Sequence, residues 1–188
     1  MESRFVLHGV PWSVYQGLCE VYEDRPGPRM TYCEGALELM SPGPKHEDAK
    51  TRFGRLIEAY ADELGLPLAG YGSTTFRSEA QARGLEPDEC YVLGDRDVTD
   101  RPDFAIEVIH TKPLLDKLDV YAGLGVPEVW VFTGGRLLIH ELQGAAYVIV
   151  ARSRFLPDID VAGLVELVNS ELRQWEAVRA WRERIRKR

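Results

Sequence analysis

Cysteine is scarce: Cys19, Cys33 and Cys90 are widely spaced, odd in number and without a Cys-x-x-Cys pair. That excludes a disulfide framework and a thiolate zinc site, and makes reduced packing residues of all three. Long apolar runs are missing as well. The strongest stretches, 128–132 and 147–151, are strand-length and bounded by glycine or charge, far below the roughly 18 residues a membrane span needs. The opening Met1-Glu2-Ser3-Arg4-Phe5 lacks the basic start, sustained apolar run and small-residue cleavage site of a secretory signal, so a cytoplasmic location is expected. Positive charge is in deficit: 23 Lys and Arg stand against 30 Asp and Glu, a net charge of -7. A general nucleic-acid coat protein, which gains affinity by neutralising phosphates, is thereby excluded. Repeats and low-complexity segments are absent.

What is present is 188 residues with 45% hydrophobic content, enough for one domain, 1–188, with a sizeable core. Pro11-Trp12-Ser13 opens a helix to about Tyr22, ended by the polar, proline-rich 24–28. A hairpin of 30–33 and 37–40 turns at Glu34-Gly35. After Ser41-Pro42-Gly43-Pro44, Phe53, Leu56, Ile57, Tyr60 and Leu64 recur at helical spacing until Gly65. Strand patterns follow at 68–71, 74–77, 85–93 and 103–109, with 94–101 as the polar loop joining the last two. Pro113 sits near the N-terminus of a helix through Leu124, closed by Gly125, and strands follow at 128–132, 137–141 and 147–151 with a Gly134-Gly135 turn. Residues 161–168 precede a partly amphipathic helix from about Ser170, whose hydroxyl can cap it and whose Trp175, Val178 and Trp181 lie at helical spacing. Strands interleaved with helices indicate an α/β protein.

One acid is out of place. Glu107 interrupts an otherwise apolar strand, and an unpartnered carboxylate there is costly to bury. If the strand of Asp88 lies beside that of Glu107, at the usual spacing of about 4.8 Å, the two carboxylates come close on one face. Such a pair persists only with one member protonated or a cation between them, and all-oxygen ligation suits Mg²⁺ or Mn²⁺ better than zinc. Lys117, one turn before Tyr121, could aim its ammonium at an oxyanion. The bland readings stand beside these: Glu107 as a buried acid paired with arginine, Pro87-Asp88 as an ordinary turn, and Lys117 as a solvated helix lysine.

Pro87-Asp88, the segment Arg101-Pro102-Asp103-Phe104-Ala105-Ile106-Glu107-Val108, and the run from Lys117 through Tyr121 to Trp130 resemble the Uma-type family of the PD-(D/E)xK nuclease superfamily. The upstream Glu34 to Pro42 segment and His46 look like that family's N-terminal hairpin and helix start, so the likeness covers about 30–142. The resemblance implies a restriction endonuclease-like fold, a central mixed β-sheet flanked by helices. It also implies a Mg²⁺-dependent (or Mn²⁺-dependent) endonuclease that hydrolyses phosphodiester bonds of nucleic acid, with DNA the expected substrate. By this resemblance Asp88 and Glu107 would be the metal-binding acids and Lys117 the catalytic lysine. The chain departs from the usual pattern in having Ile109 two residues after Glu107 where lysine is customary, and Lys112 competes with Lys117 for the lysine's role.

Glu34, His46, Asp103, Lys112 and Tyr121 are outer candidates that could position the site or touch substrate. Glu34 is equally a normal hairpin residue, and His46 an unremarkable helix-start histidine. Asp103, four residues before Glu107 and so about 13 Å away along a strand, is expected to cap structure rather than share a metal. His8, His110 and His140 form no metal spacing with one another. The Trp and Arg residues of the terminal helix suggest a docking or dimer surface with a basic edge, and a homodimer or higher homo-oligomer would suit double-strand cutting. Two other functions remain open: a non-catalytic nucleic-acid or protein-binding module on the same fold, and a carboxylate-pair glycosidase, which would need a wide aromatic cleft rather than a metal.

Overall fold

The computed structural model describes residues 3–23, 25–96 and 101–187. The middle of the expected 94–101 loop, Asp24 of the expected 24–28 helix stop and the last residue of the basic tail lie outside them. Eleven strands and five helices are described. They run β1 (Ser3–Leu7), α1 (Trp12–Tyr22), β2 (Arg29–Cys33), β3 (Ala36–Ser41), α2 (Pro44–Leu64), β4 (Leu68–Gly70), β5 (Phe76–Ser78), β6 (Arg83–Leu85), β7 (Glu89–Leu93) and β8 (Phe104–Ile109). Then come α3 (Lys117–Gly123), β9 (Glu128–Thr133), β10 (Arg136–Gln143), β11 (Ala146–Val150), α4 (Val161–Val168) and α5 (Gln174–Arg186).

The strands form two sheets. One, ordered β11-β10-β9-β8-β7-β4, is mixed: β8 and β9 run parallel and the remaining pairs antiparallel. A parallel pair needs a crossover, and α3 supplies it. The other sheet, β1-β3-β2-β6-β5, is antiparallel throughout. Strand β8 reads as an apolar run because both its faces are covered. Phe104, Ile106 and Val108 point into a core with Phe53, Ile57, Trp130 and Trp181, under α2, α4 and α5. Ala105 points the other way, into a second cluster with Val120, Tyr121, Phe76 and Leu85, between α3 and both sheets. Alternation puts Glu107 on this second face. A third cluster, Tyr15, Cys19, Met30, Tyr32 and Leu37, seats α1 on the hairpin.

The hairpin turns as its sequence indicates: Glu34 (φ 46°) and Gly35 (φ 87°) both have positive φ, the geometry of a two-residue type I′ turn. All three cysteines are free thiols, Cys19 and Cys90 buried and Cys33 half-buried. Among the described residues no helix is long and apolar enough to cross a membrane.

Several local expectations are corrected. Strand β1 was not anticipated; it adds to the hairpin's outer edge with Phe5 opposite Leu39. The expected strand 85–93 is two strands in different sheets, broken at Glu86-Pro87-Asp88, because Pro87 has no N–H to give to a ladder. Helix α3 starts at Lys117 rather than near Pro113: the carboxylate of Asp116 accepts from the N–H groups of Leu118 (3.0 Å) and Asp119 (3.4 Å) and caps it there. Leu64 is 49% exposed and lies off the buried face of α2. Helix α5 begins at Gln174, where Glu176 accepts from the N–H of Arg173, while the Ser170 hydroxyl donates to Leu167 O instead of capping. Its tryptophans part company as well. Trp181 is 1% exposed and donates to Leu56 O, whereas Trp175 is 51% exposed under the Arg179 guanidinium. Arg182 and Arg186 spend their charge on Asp62 and Glu63 of α2, so much of the expected basic edge is internally neutralised.

Candidate active site

Asp88 occupies the break between β6 and β7. In the β7–β8 ladder Glu89 faces Ile106, so one step further along each strand sets Asp88 beside Glu107. Asp88 is 1% exposed and both its oxygens are held. Oδ2 accepts from the Val108 N–H (2.8 Å), and Oδ1 accepts from Nε2 of His46 (2.8 Å). His46 sits in the first turn of α2, where the helix dipole favours a nearby anion. Burial pushes the Asp88 carboxyl up, but the His46 hydrogen bond, the charges of Lys117 and His46 and the Val108 N–H together outweigh it, so it lies below its ordinary value. Asp88 is held as a carboxylate.

Glu107 is also 1% exposed. Capping at Asp116 starts α3 so that Lys117 and Tyr121, four residues apart, lie on one helical face against the sheet. Lys117 Nζ stands 2.6 Å from Glu107 Oε2 and the Tyr121 hydroxyl 2.5 Å from Oε1. Desolvation raises the Glu107 carboxyl, the Lys117 charge opposes it, Asp88 raises it further, and it ends above its ordinary value. Burial alone would lower the Lys117 ammonium, yet the charges of Glu107 and Asp88 carry it above the usual lysine value. Burial and the Glu107 charge hold the Tyr121 phenol well above its usual value, so it stays a donor.

The other sequence candidates are placed apart or at the margin. Glu34 is in the hairpin turn, paired with Arg83 at 3.1 Å, with a largely exposed side chain. Asp103 accepts from the Leu93 N–H at 2.7 Å and pairs with Arg96, at the opposite end of β8 from Glu107. Lys112 is exposed on the wall of a cleft of about 500 Å³ that also includes Glu107, Lys117, Tyr121 and His140.

The sequence reading missed Glu38. It is 1% exposed in β3, its Oε1 lies 2.6 Å from Arg4, and its Oε2 accepts from the N–H groups of Leu114 (2.5 Å) and Leu115 (3.0 Å). It therefore fixes the segment leading into Lys117. The signal was available: a lone acid in Leu37-Glu38-Leu39-Met40 is the anomaly by which Glu107 was found.

The donor set fits a hard divalent ion. Each carboxylate oxygen of Asp88 and Glu107 makes one hydrogen bond and keeps a second lone pair, and Mg²⁺ commonly takes one or two carboxylates while retaining several waters. The upward push of Asp88 on Glu107 is repulsion that a cation between them would relieve. Among the described residues no group of three or more His, Cys, Asp or Glu could by itself hold a metal, so the protein would supply part of a coordination sphere and solvent or substrate the rest.

No curated protein matches the chain. Among solved structures, a protein from Anabaena variabilis titled a putative nuclease belonging to DUF820 is similar at 13% identity and a TM-score of 0.48, over 86% of this chain and 97% of that one. A family model described as Uma2, putative restriction endonuclease, matches residues 12–172. With most of its length matched, site included, the chain belongs to the Uma2 family of putative restriction endonucleases.

Proposed function

We propose that the protein is a Mg²⁺- or Mn²⁺-dependent nuclease, one domain carrying one site, that hydrolyses phosphodiester bonds of nucleic acid, with DNA as substrate. The observation that carries the reading is the pairing of two buried carboxylates, Asp88 and Glu107, with the Lys117 ammonium 2.6 Å from Glu107, in a chain of a restriction endonuclease family. Asp88 and Glu107 would hold the ion. When bound, a divalent ion supplies Lewis-acid polarisation of a phosphoryl oxygen.

The chain's own residues do the rest. Lys117, set by the capped start of α3, presents a fixed positive charge to the charge that develops on the phosphoryl group, and needs no reorganisation to do so. His46 and the Val108 N–H lock the Asp88 carboxylate, and Tyr121 locks Glu107. Such outer contacts keep ligand oxygens aimed. Glu38 anchors 114–115 and so the entry to α3.

A non-catalytic binding module on the same fold is the second reading. It is favoured by one observation: all four carboxylate oxygens already have partners within the protein. Calorimetric titration with Mn²⁺ separates the two. Binding by wild type that is lost in Glu107→Gln, with the circular dichroism spectrum unchanged, is expected; equal affinity in the variant would refute the site, and no binding by wild type would leave the module reading.

A further inference from the structure

The cleft beside Glu107 is not built like a channel for phosphates. Its walls are Ile109, Val129, Val131 and Leu138 from the sheet and Leu114 and Leu115 from the segment before α3. At about 500 Å³ it lies within the roughly 300–1,000 Å³ typical of small-ligand sites. Leu114 (57% exposed) and Leu138 (38% exposed) leave apolar surface open to solvent.

Among these walls stands His140. Its strand β10 pairs Val129 with His140 and Val131 with Leu138, so alternation sets His140 and Leu138 on the sheet face that carries Glu107. His140 is 8% exposed, and its Nδ1 is buried without a hydrogen-bond partner. A buried polar atom left unpaired costs stability, and His140 carries that cost on the lining of a cleft that also includes Glu107, Lys117 and Tyr121. Lys112, exposed and making no ion pair among the described residues, adds a positive charge to the wall.

A ligand for this cleft needs flat apolar faces, a hydrogen-bonding edge and an attached anion. An apolar peptide or lipid chain would cover Glu107, Lys117 and His140 without answering them. A nucleotide has all three features: the faces and edge of its base, and the phosphate on its sugar. Bases inside a duplex are stacked and cannot enter a concave site without being extruded. We infer that the cleft holds one base of a single-stranded or locally unpaired nucleic acid, faces against Leu114 and Leu138, polar edge toward His140, with its phosphate beside Glu107 and Lys117. His140 is a specificity residue for unpaired substrate. The inference rests on the nuclease reading and narrows its substrate class.

The test is fluorescence anisotropy in EDTA, where no metal-dependent cleavage occurs, comparing a single-stranded oligonucleotide, the same strand with abasic positions, and the duplex. Stacking and edge contacts to one base predict a preference on the order of tenfold for the base-bearing strand over the abasic one. His140→Leu, which removes an unpaired polar group and so should not unfold the protein, is expected to cut that preference several-fold, and Leu138→Glu at the surface to abolish it. Equal binding of base-bearing and abasic strands, tighter binding of the duplex, or an unchanged preference in both variants overturns the inference. Cleavage assayed separately with Mn²⁺ keeps the two claims distinct. A base preference without cleavage upholds the cleft and sinks the nuclease, and cleavage without base preference does the reverse.

Discussion

Replacing Lys117 by Met tests the electrostatics of the site before any substrate is known. Lys117 is 8% exposed and Glu107 1%, so the variant leaves a buried carboxylate with only the Tyr121 hydroxyl to answer it. Removing one partner of such a pair costs about 3–5 kcal/mol. For a protein of this size each kcal/mol lowers Tm by about 2–4 °C, so the expected fall is about 6–20 °C near neutral pH. The loss depends on pH. Glu107 already lies above its ordinary 4.5, and without Lys117, the largest influence opposing burial, it climbs further. A carboxyl with a raised folded-state value gives stability that is full below 4.5 and lost as pH rises through the folded value. The deficit of Lys117→Met against wild type should therefore be small near pH 4.5 and grow toward neutrality. Adding Glu107→Gln removes the charge and keeps a carbonyl for Tyr121, so the double variant should regain at least half the loss. Urea melts followed by circular dichroism across pH supply the numbers. A deficit below about 1 kcal/mol, the value of a surface pair, or one independent of pH, would refute the buried pairing.

Three further outcomes follow from the same geometry. His46→Ala strips the donor from Asp88 Oδ1 and should weaken Mn²⁺ binding about 10–100-fold in calorimetry, with a fall in Tm because a buried carboxylate oxygen loses its partner; undiminished affinity would remove His46 from the site. Glu128 is fully buried and accepts from Trp130 Nε1, Ser153 Oγ and the Arg154 N–H. Glu128→Leu orphans three donors and should cost several kcal/mol, at about 1–3 kcal/mol each, so a near-wild-type melting curve would contradict that network. Arg186 and Arg182 hold the Glu63 carboxyl down at about 2. A lowered acid gives stability that is present above its ordinary 4.5 and lost as pH falls toward about 2. Trp181 fluorescence should therefore report loosening of α5 in that window, earlier in high salt, and a pH-independent signal would count against it.

The sequence displayed those features whose cause is local. Turn chemistry at Glu34-Gly35, the apolar face Phe53 to Tyr60 and the glycine stop at Gly65 are settled within a few residues, and all are found as read. Glu107 was legible because an acid in an apolar strand is a visible exception. What escaped depends on partners far along the chain. Strand β1 is short and half exposed, and exists because β3 offers it an edge. Residues 85–93 look continuous until Pro87 is placed between two sheets. His46 is an ordinary helix-start histidine until the fold sets Asp88 against it, 42 positions on. Glu38 acquires its role from the loop at 114–115, and Trp181 was read as surface because nothing nearby indicates that α2 covers it. Resemblance ordered Asp88, Glu107 and Lys117, while the contacts that hold them are tertiary.

Metal-dependent cleavage is the direct test of the central claim. Supercoiled plasmid and single-stranded DNA would be incubated with Mn²⁺ and wild type, Asp88→Asn, Glu107→Gln or Lys117→Met, each variant first checked for folding at the assay temperature. The account predicts nicking or strand cleavage by wild type that EDTA stops, and at least a hundredfold loss in each variant, on the scale of removing one transition-state contact. Cleavage that survives in folded Asp88→Asn or Glu107→Gln would contradict it.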